Sequence, residues 1–132
     1  MLGRRLSEVE IESYDLCPEP IARRVRVIRI PLIPGGYAGM TLGRTVLLAK
    51  DVARDGTSSL MAHELVHARQ WTDQGLFRFA WAYTSSFTRN FYTLRSWNKA
   101  YHQIDAELEA KQETADWLIR QARDQKQGRD PI

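Results

Sequence analysis

One cysteine, Cys17, occurs in 132 residues, so no internal disulfide can form and the fold has to be held by a buried core. A chain without cross-links mildly favours a reducing compartment. Nowhere do 18 apolar residues run together, which excludes a transmembrane helix. The first residues, Met1-Leu2-Gly3-Arg4-Arg5-Leu6, pass directly into acidic ones without the apolar stretch of a secretory signal, and a soluble, cytoplasmic protein is expected. Strong charge of one sign is also missing. The net charge is +3, the 15 arginines among 19 basic residues are spread along the chain, and there is neither zinc-finger spacing nor a Lys-rich tail. No nucleic-acid partner is therefore expected. Histidine is scarce too, at 3 residues, which makes the placement of each one informative.

What is present is ordinary globular composition, 43% hydrophobic and 27% charged, in a length that suits one domain over residues 1–132. Two of the histidines stand in Met61-Ala62-His63-Glu64-Leu65-Val66-His67-Ala68-Arg69-Gln70-Trp71, among good helix formers. Side chains four apart lie on one helix face, so His63 and His67 can grip one metal ion between them. Glu64 beside them can reach a water at that metal without being a ligand, as a general base in metal-assisted hydrolysis must. With 3 His and 8 Glu in the chain, the pattern arises by accident in roughly 0.4% of sequences this long, so chance is a poor explanation.

Around that motif the organisation is α+β. Residues 1–20 form an N-terminal segment whose periodicity is ambiguous: Val9 and Ile11 alternate with Glu8, Glu10 and Glu12 like a strand, while Leu6 and Val9 suit a helix. Val25, Val27, Ile28 and Ile30 read as a strand stopped by Pro31. A turn over Pro31, Pro34, Gly35 and Gly36 leads to Ala38–Leu42 and Thr45–Ala49, which flank Gly43-Arg44 as a type II′ hairpin would. The expectation is a small, mostly antiparallel sheet. Thr57, Ser58 or Ser59 can cap the motif helix, and Gly75 can end it. Ten of the thirteen aromatics lie between Trp71 and Tyr101, and Phe79, Tyr83, Phe87 and Phe91 recur every fourth residue. This aromatic helix, 76–92, is expected to pack into the core, with contact to a membrane surface or a partner as the alternative. A last helix runs from about Lys99 to Arg123, with Ile104, Leu108, Ala115, Leu118 and Ala122 on one face, and residues 124–132 read as a flexible tail. Cys17 before Pro18-Glu19-Pro20 reads as a small packed residue, with a latent ligand to the metal as the sharper alternative.

A catalytic zinc site takes three protein ligands and keeps one position for water, so His63 and His67 need a third. His102, Asp105, Glu107 and Glu109 are the candidates. Glu107 and Glu109 point about 200° apart around a helix, so one of them at most faces the metal. Glu107 lies on the flank of the Ile104–Leu108 stripe, whereas Glu109 turns toward solvent.

His63-Glu64-Leu65-Val66-His67 followed by Glu107-Leu108-Glu109-Ala110 resembles the gluzincin zinc metallopeptidases, in which a glutamate on a later helix is the third ligand. The likeness extends in particular to the minigluzincins and to the catalytic core of the CAAX-protease and heat-shock-protease relatives. It covers residues 25–115. By that resemblance His63, His67 and Glu107 would hold zinc and Glu64 would be the general base. Lys111 stands where those relatives carry an aspartate that orients a ligand, so that orienting group is either missing or supplied elsewhere. The Gly-x-x-His continuation of the metzincins is missing after Ala68. The resemblance also implies that an edge strand, Thr45–Ala49, lines a cleft in which an extended peptide could pair with it.

The function expected from this is a zinc-dependent metallopeptidase acting on a peptide or protein substrate through a water that Glu64 deprotonates. Tyr83, Tyr92, Tyr101 and His102 are candidate donors to the developing oxyanion. A latent or inactive zinc-binding domain acting through protein interaction is the alternative.

Overall fold

The β-branched run after Arg24 becomes β1 (Arg26–Arg29), and the hairpin segments become β2 (Gly39–Leu42) and β3 (Thr45–Leu48). These come from a computed structural model that describes residues 3–33 and 36–129; Pro34 and Gly35 of the expected turn lie outside the described residues. The turn between β2 and β3 has Gly43 at φ 62°, the first-position glycine that a type II′ connection calls for. The fold is α+β, with the sheet near the N-terminus and helices after it. Its strand order is β1-β3-β2, with β2 antiparallel to β3 and β1 parallel to it. The sheet is thus mixed, because the chain crosses over after β1 to place β2 on the far side. β3 sits in the centre, and the edge nearest the motif helix is β2 rather than Thr45–Ala49.

The N-terminal segment is helical. In α1 (Glu8–Ser13), Ser7 accepts from the Glu10 amide at 3.1 Å while the Glu10 carboxylate accepts from the Ser7 amide at 2.9 Å. This reciprocal capping outweighs the strand-like alternation. The same carboxylate, fully buried, pairs with Arg4, which also grips Asp51. A single turn, α2 (Glu19–Ala22), follows, and then the sheet.

The motif lies on α3 (Ser59–Gln74), whose first turn is capped by Ser58 and which stops at Gly75 as expected. Eight of its sixteen residues are buried, since the sheet, the N-terminal segment and the last helix all pack on it. Met61, Leu65 and Val66 meet Val25, Val46 and Leu48 there, and buried Cys17 packs in the same core. Burial pushes the Cys17 thiol up to about 12, so it is an inert packed side chain. The aromatic helix is α4 (Leu76–Leu94), and after a break at Arg95 comes α5 (Trp97–His102).

The last helix differs from expectation in three respects. It starts at Asp105, not Lys99, because the chain breaks after His102; there the Ser86 hydroxyl accepts from the Asp105 amide at 3.4 Å. α6 (Asp105–Arg129) continues through most of the expected tail, whose polar residues are good helix formers, and residues 130–132 lie outside the described ones. Its buried seam is Ile104, Glu107, Ala110, Thr114 and Trp117, while Leu108, Ala115 and Leu118 face outward. Trp117 sets that rotation. Its ring lies against Tyr14 at 5.4 Å, and its indole N–H donates to the Ser13 carbonyl at 2.7 Å. Arg69 of α3 locks the two long helices together through Glu109 and Glu113 of α6.

Candidate metal centre

α3 projects His63 and His67 from consecutive turns toward α6, and the α6 seam brings Glu107 against them from a different part of the chain. His63 Nε2 is 3.2 Å from His67 Nε2 and 3.2 Å from Glu107 Oε2, and His67 Nε2 is 2.7 Å from Glu107 Oε1. Donor atoms about 2.0–2.1 Å from one tetrahedral ion are about 3.3 Å apart, and the three side chains bring their donors to about that spacing, with Glu107 turning a different oxygen to each histidine. These three residues can hold a metal ion.

The hydrogen bonds around His67 argue for a cation between the donors. The Gln70 amide nitrogen donates to the Ala106 carbonyl at 3.1 Å and to Glu109 at 2.9 Å, which turns its oxygen toward His67 Nδ1 at 2.7 Å. An amide oxygen only accepts, so Nδ1 carries a proton and donates. Nε2 then faces a carboxylate oxygen, and two lone pairs at that distance repel unless a proton or a metal ion lies between them. Without metal the proton wins: desolvation pulls the His67 pKa down, but the hydrogen bond and charge of Glu107 overcome it and raise it. Burial opposes the charged form of Glu107 as well, yet hydrogen bonds from His63 and His67 hold its carboxyl far below the usual range. A divalent ion would take that proton's place.

Gln70, and not Lys111, is the side chain that holds the His67 ring. Lys111 lies on the exposed side of α6 with its ammonium 2.8 Å from His102 Nδ1. Gln70 is buried and follows His67 by three residues on the same helix face, a spacing visible in the sequence but passed over there. Glu109 is exposed and bonds to Arg69 and Gln70, away from the histidines.

Glu64 lies beside the donors in a cleft of about 280 Å³, lined also by His67, Glu107, β2 and α4. The Thr41 hydroxyl of β2 lies 3.0 Å from both Glu64 Oε1 and the Glu64 carbonyl and shares its one proton between them, which ties the carboxylate to β2. Desolvation raises the Glu64 pKa against the pull of both histidines, which is the direction a general base needs. A side chain at Gly39 would put its Cβ 3.2 Å from Glu64 Oε2 and from Leu48 Cδ2, so glycine there leaves room for the carboxylate. Neither Thr41 nor Gly39 carries a sequence signal of this role, which depends on how β2 lies along α3.

Of the four candidate oxyanion donors, Tyr83 and Tyr101 line the cleft; Tyr92 is exposed on α4, and His102 is tied to Lys111. Burial, then the Glu107 carboxylate, raises the pKa of both tyrosines, so they remain protonated donors. Tyr83 donates to Glu107 Oε1 at 3.4 Å, and Tyr101 stacks on Tyr37 at 4.7 Å. β2 is the open edge of the sheet beside this cleft. The Ala49 amide donates to the Ala38 carbonyl, so by antiparallel alternation the backbone of Gly39 and Thr41 points to the free edge. The Thr41 carbonyl is already taken there by the Trp71 indole at 3.1 Å.

No protein-family model, no curated protein and no solved structure matches the chain.

Proposed function

We propose that the chain is a zinc-dependent metallopeptidase of the gluzincin type, with His63, His67 and Glu107 as ligands and Glu64 as the catalytic base. The observation that carries this reading is the meeting of Glu107, 40 residues beyond His67, with both histidines beside a cleft that His67, Glu107 and Glu64 line. Two imidazoles and one carboxylate are a zinc donor set that leaves one position open. Bound zinc would polarise a substrate carbonyl and acidify a water.

The remaining steps belong to side chains of the chain. Glu64, with one oxygen held by Thr41, takes a proton from the attacking water and delivers it to the leaving amine, so that the base of the first step becomes the acid of the second. Tyr83 or Tyr101 donates to the oxygen on which charge develops. An extended peptide would find the Gly39 and Thr41 amides of β2 free to pair with it.

The test is Glu64→Gln, which keeps the shape and every metal donor. The expected result is unchanged metal content and a loss of about 10²–10⁴-fold in peptide hydrolysis. A wild-type protein that binds zinc but cleaves no peptide or denatured protein would leave a zinc-binding interaction domain instead.

A further inference from the structure

The aromatic helix does more than close the cleft. At about 100° per residue, the buried Phe79 and Ser86, with Tyr83, define the inward side of α4, and Phe77, Trp81, Thr88 and Tyr92 fall within about 60° of one another on the opposite side. The three aromatics of that outer stripe are 86%, 76% and 69% exposed. Trp81 and Phe77 are thus almost free of protein contacts, which packing within this chain does not explain.

Charge says what could cover them. From Gln74 to Ile104 there is no acidic residue, while Arg78, Arg89, Arg95 and Lys99 contribute four positive charges. The other fifteen cations and all sixteen acids leave the rest of the chain at −1, so the excess positive charge of the protein resides here. Arg78 and Arg89 flank the stripe on one side, and Arg95 lies 5.3 Å from the ring of Tyr92. A second copy of the chain would bring these cations against their own counterparts with no carboxylate on this helix to pair with. An anionic lipid surface answers both features: phosphates meet the arginines, and the amphipathic Trp and Tyr rings seat at headgroup depth. No helix among the described residues is long and apolar enough to cross a membrane, and a helix with one apolar-aromatic side and flanking cations lies along the interface instead.

We infer that the outer face of α4 is a peripheral docking site for anionic phospholipid surfaces, with Phe77, Trp81 and Tyr92 inserting and Arg78, Arg89 and Arg95 contacting phosphates. The inference is independent of the metal centre, and its readout is binding, not hydrolysis. The whole chain is sedimented with vesicles of phosphatidylcholine alone and with vesicles containing about 30% phosphatidylserine, at low and at raised salt. Retention is expected on the anionic vesicles, reversed by salt, and weakened at least about tenfold in Phe77→Ser/Trp81→Ser and in Arg78→Glu/Arg89→Glu, with unchanged circular dichroism. Because all four side chains are exposed, these variants leave the core intact. Equal behaviour on neutral and anionic vesicles would overturn the inference. So would a wild-type dimer in solution that Phe77→Ser/Trp81→Ser disperses, since the stripe would then be a self-interface.

Discussion

α3 and α4 follow one another with only Gly75 between them and differ little in length, yet the chain treats them in opposite ways. Eight of sixteen residues are buried in α3, against two of nineteen in α4. α3 carries charged and polar side chains into the interior, among them Glu64, His67 and Gln70, while α4 leaves Phe77 and Trp81 outside. Burial here follows chemistry rather than hydrophobicity. Buried polar groups are tolerated only when their bonds are satisfied, and no buried side-chain polar atom among the described residues lacks a partner. The inner surfaces of α3 and α6 form a buried polar site whose groups are all paired, and the outer surface of α4 is left for something that the chain does not itself supply.

The contrast makes unequal demands on mutations. Leu65→Ala in α3 should cost about 2–5 kcal/mol in urea denaturation, because a fully buried side chain leaves a cavity. Phe77→Ala in α4, although it removes a larger side chain, should change stability by less than about 0.5 kcal/mol. Comparable losses in the two variants would mean that the outer face of α4 is packed after all.

Next in size is Gln70→Leu, which removes the acceptor from His67 Nδ1 and frees the ring to turn. Metal affinity, measured by chelator competition, should fall about 10–100-fold while the fold persists. Gln74→Leu, one turn further on and exposed, should leave it unchanged. If Gln70→Leu bound metal as tightly as wild type, the orienting role assigned to the buried amide would be wrong.

A smaller effect follows from the protons at the same donors. In the metal-free protein the folded pKa of His67 is raised, so its stabilising contribution is complete below the ordinary 6.5 and disappears as pH rises through the raised value. Glu107 is lowered, so its contribution is present above its ordinary 4.5 and is lost as pH falls toward the depressed value. Metal competes with the His67 proton. The rise in Tm on adding zinc should therefore widen between about pH 5.5 and pH 8, and a gap that stays constant with pH would contradict this competition.

How much of this was legible beforehand depends on which side of a helix is asked about. His63, Glu64 and His67 declare themselves by spacing alone, because one helix supplies all three. Glu107 could be named, but the face of α6 could not. Of the apolar stripe Ile104, Leu108, Ala115 and Leu118 only Ile104 is buried, and the seam that continues from it mixes Glu107 and Thr114 with Ala110 and Trp117. A site that needs a carboxylate inside dilutes the hydrophobic signal on its own face. The parallel pairing of β1 with β3 is invisible for a different reason, since it depends on a crossover that local turn chemistry does not encode. The N-terminal segment stayed ambiguous although it holds a deciding signal: Ser7-x-x-Glu10 forms a capping box, which separates the strand and helix patterns that Val9 and Ile11 leave balanced.

The central claim is that α3 and α6 together make one metal centre from His63, His67 and Glu107. The most direct measurement is metal content and zinc affinity of the purified wild-type chain beside Glu107→Ala, Glu109→Ala and His102→Ala, by elemental analysis and chelator titration. The account predicts about one zinc per chain in wild type, retained in Glu109→Ala and His102→Ala and lost or greatly weakened in Glu107→Ala. A wild-type protein without stoichiometric metal, or one in which His102→Ala is the most damaging of the three, would contradict it.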